Sequence, residues 1–185
     1  LVALGGLQLR RKDYDSAIAS AHKALGLYRT TCDEWGISHA LYLLSLIKNR
    51  MGRFDEALLF LEEALSINRR LNNQYRLIAP LNLLGDIACT KGDFNSAEKF
   101  FQESLEISRS LNDRFNQALL LNNLATVYQA KQQYDQERAV FEASLVLCRE
   151  IGDRDGEAIA LNGLGEMAVH LGQFEQAVHY SQQAL

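Results

Sequence analysis

Apolar residues return along the chain at steps of three and four. Between Gln74 and Lys91 they fall at Leu77, Leu81, Leu84 and Ile87, one stripe of a helix with about 3.6 residues per turn. From Phe54 to Leu71 a second stripe runs through Ala57, Leu58, Leu61, Ala64 and Leu65, and it predicts a second helix. Glycines stand two positions before an aromatic residue at Gly52, Gly92 and Gly172. A residue of positive φ there ends the first helix, and Asp13 and Asp93 are placed to cap the one that follows. The pattern therefore predicts helical hairpins, a helix A and a helix B joined by a tight turn.

The hairpin repeats. Its aromatic residue recurs at Tyr14, Phe54, Phe94, Tyr134 and Phe174, a period of 40. Thirteen and ten residues before each stand leucines: Leu1 and Leu4, Leu41 and Leu44, Leu81 and Leu84, Leu121 and Leu124, Leu161 and Leu164. Nine residues before comes a small residue, Gly5, Ser45, Gly85, Ala125 or Gly165, where two helices can approach closely. The last turn of helix B carries Arg29, Arg69, Arg109 or Arg149. Units of about 1–32, 33–72, 73–112, 113–152 and 153–185 follow, the last incomplete inside helix B. One hairpin cannot bury its apolar face alone, so stacking into a solenoid is predicted. Because the pattern is already helical at Leu1 and still helical at Leu185, the chain is expected to be a piece of a larger protein.

In the third unit Leu84, Gly85, Gly92, Phe94, Ala97, Phe101 and Ser104 follow the motif of the tetratricopeptide repeat, which the whole chain resembles. It departs from the common 34-residue form in length and lacks the closing proline, carrying instead the arginine column and linkers such as "RSLNDR" and "REIGDR". Units of this long type resemble those of kinesin light chain, of cell-polarity adaptors and of sensor arrays in bacterial signal-transduction ATPases and transcription activators. The resemblance implies an all-α, right-handed α-solenoid over residues 1–185, a protein or peptide partner held in a concave groove lined by helix A, and a bacterial-type regulatory parent protein.

One position after the first leucine of helix A lie Val2, Tyr42, Asn82, Asn122 and Asn162. Asn is a poor helix former, by roughly 0.6 kcal/mol against Ala, so its return needs a reason. Its amide both donates and accepts, and can pair with an extended peptide backbone whatever the side chains are. Four and seven residues further on come Asp86, Thr126 and Glu166, then Asn49, Cys89, Gln129 and Val169. The expected peptide-binding set is Asn82, Asn122, Asn162, Tyr42, Arg50, Asp86, Gln129, Glu166 and His170, with His39 beside it. The competing account is that the asparagines were copied with the repeat and sit in water or bond a neighbouring helix.

Charge and composition narrow the partners. The net charge of −4 comes from 19 basic and 23 acidic residues interleaved along the chain, so no basic track is offered to nucleic acid. No apolar run reaches the eighteen or so residues of a membrane span. Cys32, Cys89 and Cys148 form no close pair, which fits a reducing, cytoplasmic setting and no zinc site. The four histidines lie apart, and "GDRDGE" at 152–157 lacks the spacing of a calcium loop, so Asp153 is expected to cap a helix. No cofactor, metal or catalytic motif is expected. The chain is read as a scaffold rather than an enzyme, with a structural spacer or weak self-association through open array ends as the alternative.

Local departures complete the reading. Trp35, Tyr75 and Phe115 share a column at the start of helix A, which reads as either an exposed aromatic rim or packing on the preceding helix B; packing is the expectation, because Leu71 and Leu111 sit close by. Pro80 is expected to remove a hydrogen bond to Arg76 and bend its helix. Glu137 stands in a column otherwise filled by Ala17, Ala57, Ala97 and Ala177; it is expected to tilt into solvent or meet Lys131 or Arg138, and to leave the fourth hairpin the loosest.

Overall fold

The computed structural model describes residues 13–184. Nine helices occur among them: α1 Tyr14–Thr30, α2 Glu34–Arg50, α3 Phe54–Arg70, α4 Tyr75–Thr90, α5 Phe94–Ser110, α6 Arg114–Ala130, α7 Tyr134–Ile151, α8 Arg154–His170 and α9 Phe174–Gln183. No strand occurs among the described residues. Even-numbered helices are the A helices and odd-numbered ones the B helices. The first helix A, with Val2 and Gly5, lies outside the described residues. The third helix A, expected over Gln74–Lys91, is one residue shorter at each end.

Long helices reverse within two to four residues, which forces a left-handed residue at each reversal. Gly52, Gly92 and Gly172 have φ of 73°, 78° and 70°, and Gln132 adopts 58° where the glycine is missing. The turn from B back to A has the same geometry at Cys32, Asn72, Asn112 and Gly152. Left-handed backbone costs a side-chain-bearing residue roughly 1–2 kcal/mol, so Cys32 and Gln132 are held there by the packing on both sides. Each A helix is then capped by the same register position: Asp33, Asn73, Asp113 and Asp153 accept from the amide three residues on, at 3.0, 3.2, 3.0 and 3.1 Å. Asp13 and Asp93 cap their B helices as expected.

The helices form two compact units, up to Ile87 and from Ala88. In the first, α2 packs between α1 and α3, and Ala17, Ala21, Leu41, Leu44, Ile47 and Ala64 form the core. In the second, α6 packs on α5, α7 and α8, and α9 on α8; Ala125, Phe141, Ala160, Leu164 and Met167 meet there. The arginine column ties successive B helices: Arg29 reaches Glu63 at 2.8 Å and Arg149 reaches Gln183 at 2.7 Å. These ties are exposed and contribute little stability.

Where a B helix ends against the next A helix, size and polarity are exchanged column by column. The Tyr28 ring lies against Gly36, where no Cβ would fit. At the same place a methyl group on Gly156 would come 2.7 Å from Cys148 Sγ. Between them in sequence Asn68, 1% exposed, accepts from Ser38 Oγ at 2.8 Å and donates to the Arg76 carbonyl at 3.0 Å. That carbonyl is the one Pro80 leaves without its helical donor, since proline has no N–H. Pro80 stands inside α4, and the lost bond is replaced by the Asn68 side chain.

Glu137 corrects the expectation made for it. It is buried, 1% exposed, and neither carboxyl oxygen has a hydrogen-bond partner. Lys131 is taken by Glu98 at 2.6 Å, and Arg138 donates to Gln173 at 3.5 Å, so both expected bases are engaged elsewhere. Burial pushes the Glu137 carboxyl above the usual carboxylate range; His170 opposes the rise and Glu166 adds to it. The raised pKa favours the neutral form, which lessens the cost of an unpaired buried charge.

Two outcomes follow for stability. Asn68→Ala should destabilise the chain by about 1–3 kcal/mol, because it strands the Arg76 carbonyl and Ser38. In a Pro80→Ala background the amide of residue 80 takes over, and the cost should fall by about 1 kcal/mol. Urea unfolding of the four combinations measures this; equal costs in both backgrounds would dissociate Asn68 from Pro80. For Glu137 the folded-state pKa is raised, so its contribution to stability is full at acid pH and is lost as pH rises through that pKa. Against Glu137→Gln, the native chain should therefore lose melting temperature between about pH 4.5 and about pH 7.5. Parallel melting curves at both pH values would mean that Glu137 does not change protonation on folding.

Candidate functional site

Each described A helix presents a stripe at steps of four, three, four and three that faces away from its B partner. On α2 it is Trp35, His39, Tyr42, Leu46 and Asn49; on α4 it is Tyr75, Ala79, Asn82, Asp86 and Cys89. In the second unit α6 contributes Phe115, Leu119, Asn122, Thr126 and Gln129, and α8 contributes Asp155, Ile159, Asn162, Glu166 and Val169. The aromatic column begins this stripe and is not packed under a B helix as expected: Trp35, Tyr75 and Phe115 are 47%, 64% and 58% exposed. Leu71 turns into the core of the first unit and Leu111 is itself exposed, so neither draws the rings inward.

In the first unit the stripes of α2 and α4 meet at a cavity of about 310 Å³ lined by Ser38, His39, Tyr42, Asn68, Tyr75, Arg76, Ala79 and Pro80. Tyr42 and Asp86 are both half-buried. Burial, with the charge of Asp86, pushes the Tyr42 phenol up to about 12, so the hydroxyl stays a donor. Burial alone pushes Asp86 up to about 6, which lets this carboxyl accept at neutral pH and donate in mild acid. His39 is pulled down, first by burial and then by the charge of Arg76. The Arg76 guanidinium lies over the Trp35 ring, its carbon 5.0 Å from the centroid, a cation–π contact. Asn82 is half-buried on α4 but outside the cavity lining, and Arg50 is exposed at the end of α2.

In the second unit the two asparagines differ. Asn122 is buried, and its amide donates at 3.4 Å to the Gly156 carbonyl of α8 while its Oδ1 has no partner. Asn162 is exposed. Gln129, Glu166 and His170 are exposed as well, the last two around the buried Glu137. The structure thus brings Tyr42 and Asp86 together with His39, and Glu166 with His170. It sets Asn122 apart, at the contact between helices. Arg76, Trp35, Tyr75 and the supporting Asn68 were not in the sequence-derived set. The signal for the rings was present, since Trp35 and Tyr42 lie seven residues apart on one helix face. Among the described residues no group of three or more His, Cys, Asp or Glu is arranged to hold a metal, and no helix is long and apolar enough to cross a membrane.

The asymmetry is measurable. Asn162→Ala should leave unfolding unchanged or stabilise by up to roughly 0.6 kcal/mol, the gain in helix propensity. Asn122→Ala should instead destabilise by about 1 kcal/mol through loss of a buried contact. Equal effects in thermal unfolding would mean that the two positions share one environment.

The helical hairpins also have known counterparts. The chain superposes with a TM-score of 0.89 on BtubC (BKLC) from P. vanneervenii, at 23% identity over 98% of this chain and 75% of that one. A Signal Transduction ATPase with Numerous Domains, carrying a tetratricopeptide repeat sensor, from Pyrococcus horikoshii matches with a TM-score of 0.87 at 20% identity, over 99% of this chain and 28% of that one. A Rap protein complexed with Competence and Sporulation Factor matches with a TM-score of 0.83 at 15% identity, over 99% and 51%. At these identities the likeness is one of fold. No curated protein matches the chain. The tetratricopeptide repeat family model matches residues 1–70, 36–110, 75–145 and 116–185. With its motif residues, hairpins and left-handed turns in register across those matches, the chain belongs to the tetratricopeptide repeat family.

Proposed function

We propose that this protein-interaction scaffold takes up an extended peptide segment along the exposed stripe of its A helices, as the sensor module of a larger regulatory protein. The observation that carries the reading is the first unit's open cavity, where Tyr42 supplies a donor beside exposed aromatic rings, with half-buried Asp86, outside the lining, as an acceptor near Tyr42. Half-buried polar groups beside apolar walls suit a ligand that brings both amides and side chains. A Rap protein of the same fold is known in complex with Competence and Sporulation Factor, and an ATPase of the same fold carries its repeats as a sensor. Both likenesses support the reading by analogy of fold.

A second reading, association through the array end, has its own support. Val169, Phe174, Ala177 and Val178 line an open apolar cavity of about 360 Å³ on α8 and α9, a surface of the kind that a further helix covers.

Capture of a partner segment from a peptide display library, followed by calorimetry, tests the first reading. Asp86→Asn and Tyr42→Phe should each weaken the segment by about 1–3 kcal/mol, with melting temperature held. Affinity unmoved by both changes, together with sedimentation that depends on protein concentration and is abolished by Phe174→Ser, would favour the second.

A further inference from the structure

Every described B helix opens on the same backbone bond. The amides of Ala17, Ala57, Ala97, Glu137 and Ala177 each donate to the carbonyl four residues back, at 3.0 or 3.1 Å. The fourth hairpin departs from the others here in three ways that share one turn. Its left-handed residue is Gln132, at φ 58°, where Gly52, Gly92 and Gly172 stand in the others. Its cap position holds Gln133, which makes no side-chain bond to the helix where Asp13 and Asp93 do, and whose Oε1 is buried without a partner. Its alanine is replaced by the enclosed Glu137, both oxygens unpartnered. Tyr134 between them is 44% exposed, whereas Tyr14, Phe54 and Phe94 are covered further. Gln133 and Glu137, four residues apart, lie on one face of α7, so three acceptor oxygens are enclosed on that face without a donor.

The neighbours leave this acid unmatched. α7 packs on α6 and α8. At the end of α6, Lys131 is bound to Glu98 at 2.6 Å and the Tyr128 hydroxyl accepts from Gln102 at 3.4 Å, so both are held toward α5. On α7 itself Asp135 is exposed and Arg138 donates to Gln173 at 3.5 Å. From α8, Glu166 repels an ionised Glu137 and His170 attracts it, and burial, the largest influence, disfavours the charge. The carboxylate is relieved most directly by leaving the contact. Lys131 before the turn and Phe141 after it are anchored, the first by Glu98 and the second in the core, which confines that movement to the residues between.

We infer that residues 132–138 form a pH-sensitive latch: the first turn of α7 stays docked while Glu137 is neutral and releases, with the rest of the second unit folded, once Glu137 is ionised. The docked carboxyl has a raised pKa and the released one an ordinary pKa, so docking is strongest in acid and weakens as pH rises through the docked value, with no further change above it. Each unit of elevation multiplies the released population about tenfold. Because Glu166 and His170 end the exposed stripe of α8, the state of the latch is felt there as a change of charge.

Amide exchange followed by NMR, corrected for the intrinsic pH dependence of exchange, reads the latch residue by residue. From pH 5 to pH 8, values spanning an elevated carboxyl, the amide of residue 137 should lose at least about threefold in protection. The equivalent amides of Ala57 and Ala97 should keep theirs. Glu137→Gln and Glu137→Ala should both remove the pH response; the second installs the residue found here in the other units, so folding is preserved. Gln132→Gly should raise protection of the same amide at both pH values by relieving the left-handed side chain. Protection at residue 137 that is unchanged between the two pH values, an equal loss at Ala57 and Ala97, a loss that persists in both Glu137 variants, or no gain from Gln132→Gly overturns the latch. A melting temperature that falls with pH while this amide keeps its protection overturns it as well, since the carboxyl would then be released only by global unfolding.

Discussion

A helix of seventeen residues that must turn back within about three can do so only through a left-handed residue. The chain meets this demand at Cys32, Gly52, Asn72, Gly92, Asn112, Gln132, Gly152 and Gly172, every twenty positions. Fixed turns fix the rotational phase of each helix. Phase in turn decides which residues face the B partner and which face away, so Leu41 and Leu44 are buried while His39 and Tyr42 border an open cavity. A turn that slipped by one residue would rotate the stripe by about 100° and dissolve that cavity before any side chain in it changed.

Within this frame the contact between the end of one B helix and the start of the next A helix is solved differently each time. Tyr28 is large and faces Gly36; Cys148 is small and touches Gly156. Gln117 donates to the Ser108 carbonyl at 3.1 Å. Asn68 serves Ser38 and the carbonyl freed by Pro80. That last solution joins packing to the site, because Asn68 holds the backbone of Arg76 and is itself part of the cavity wall. The proline that disturbs α4 and the asparagine that repairs it together place the only cation of that cavity.

Period, hairpins and the glycine turn were legible because one residue type recurs at each position. The B-to-A turn was hidden, since Cys, Asn, Asn and Gly share a backbone conformation and little else. Trp35 and Tyr75 were misjudged by closeness in sequence to leucines, where angular position on the helix would have set them outward beside Tyr42. Glu137 was expected to tilt into solvent or meet a base because a buried charge must be matched; its burial without either, which raises its pKa, depends on the packing around it and not on its neighbours in sequence. The asparagine column shows the limit of position alone. Asn122 is covered because α8 packs over it, and Asn162 is exposed because no later A helix lies beside it among the described residues.

The two kinds of turn share one backbone geometry, so nothing in the turn itself labels a helix as A or B. That has a genetic consequence. Duplication or deletion of forty residues leaves every turn, cap and stripe in register, and the array can change its copy number without redesign. A change of twenty would be accepted by every turn, yet it would exchange the inward and outward faces of all helices downstream. Recombination in such a gene is therefore free to vary the length of the array in whole hairpins, and selection on burial, not on backbone, removes the half steps.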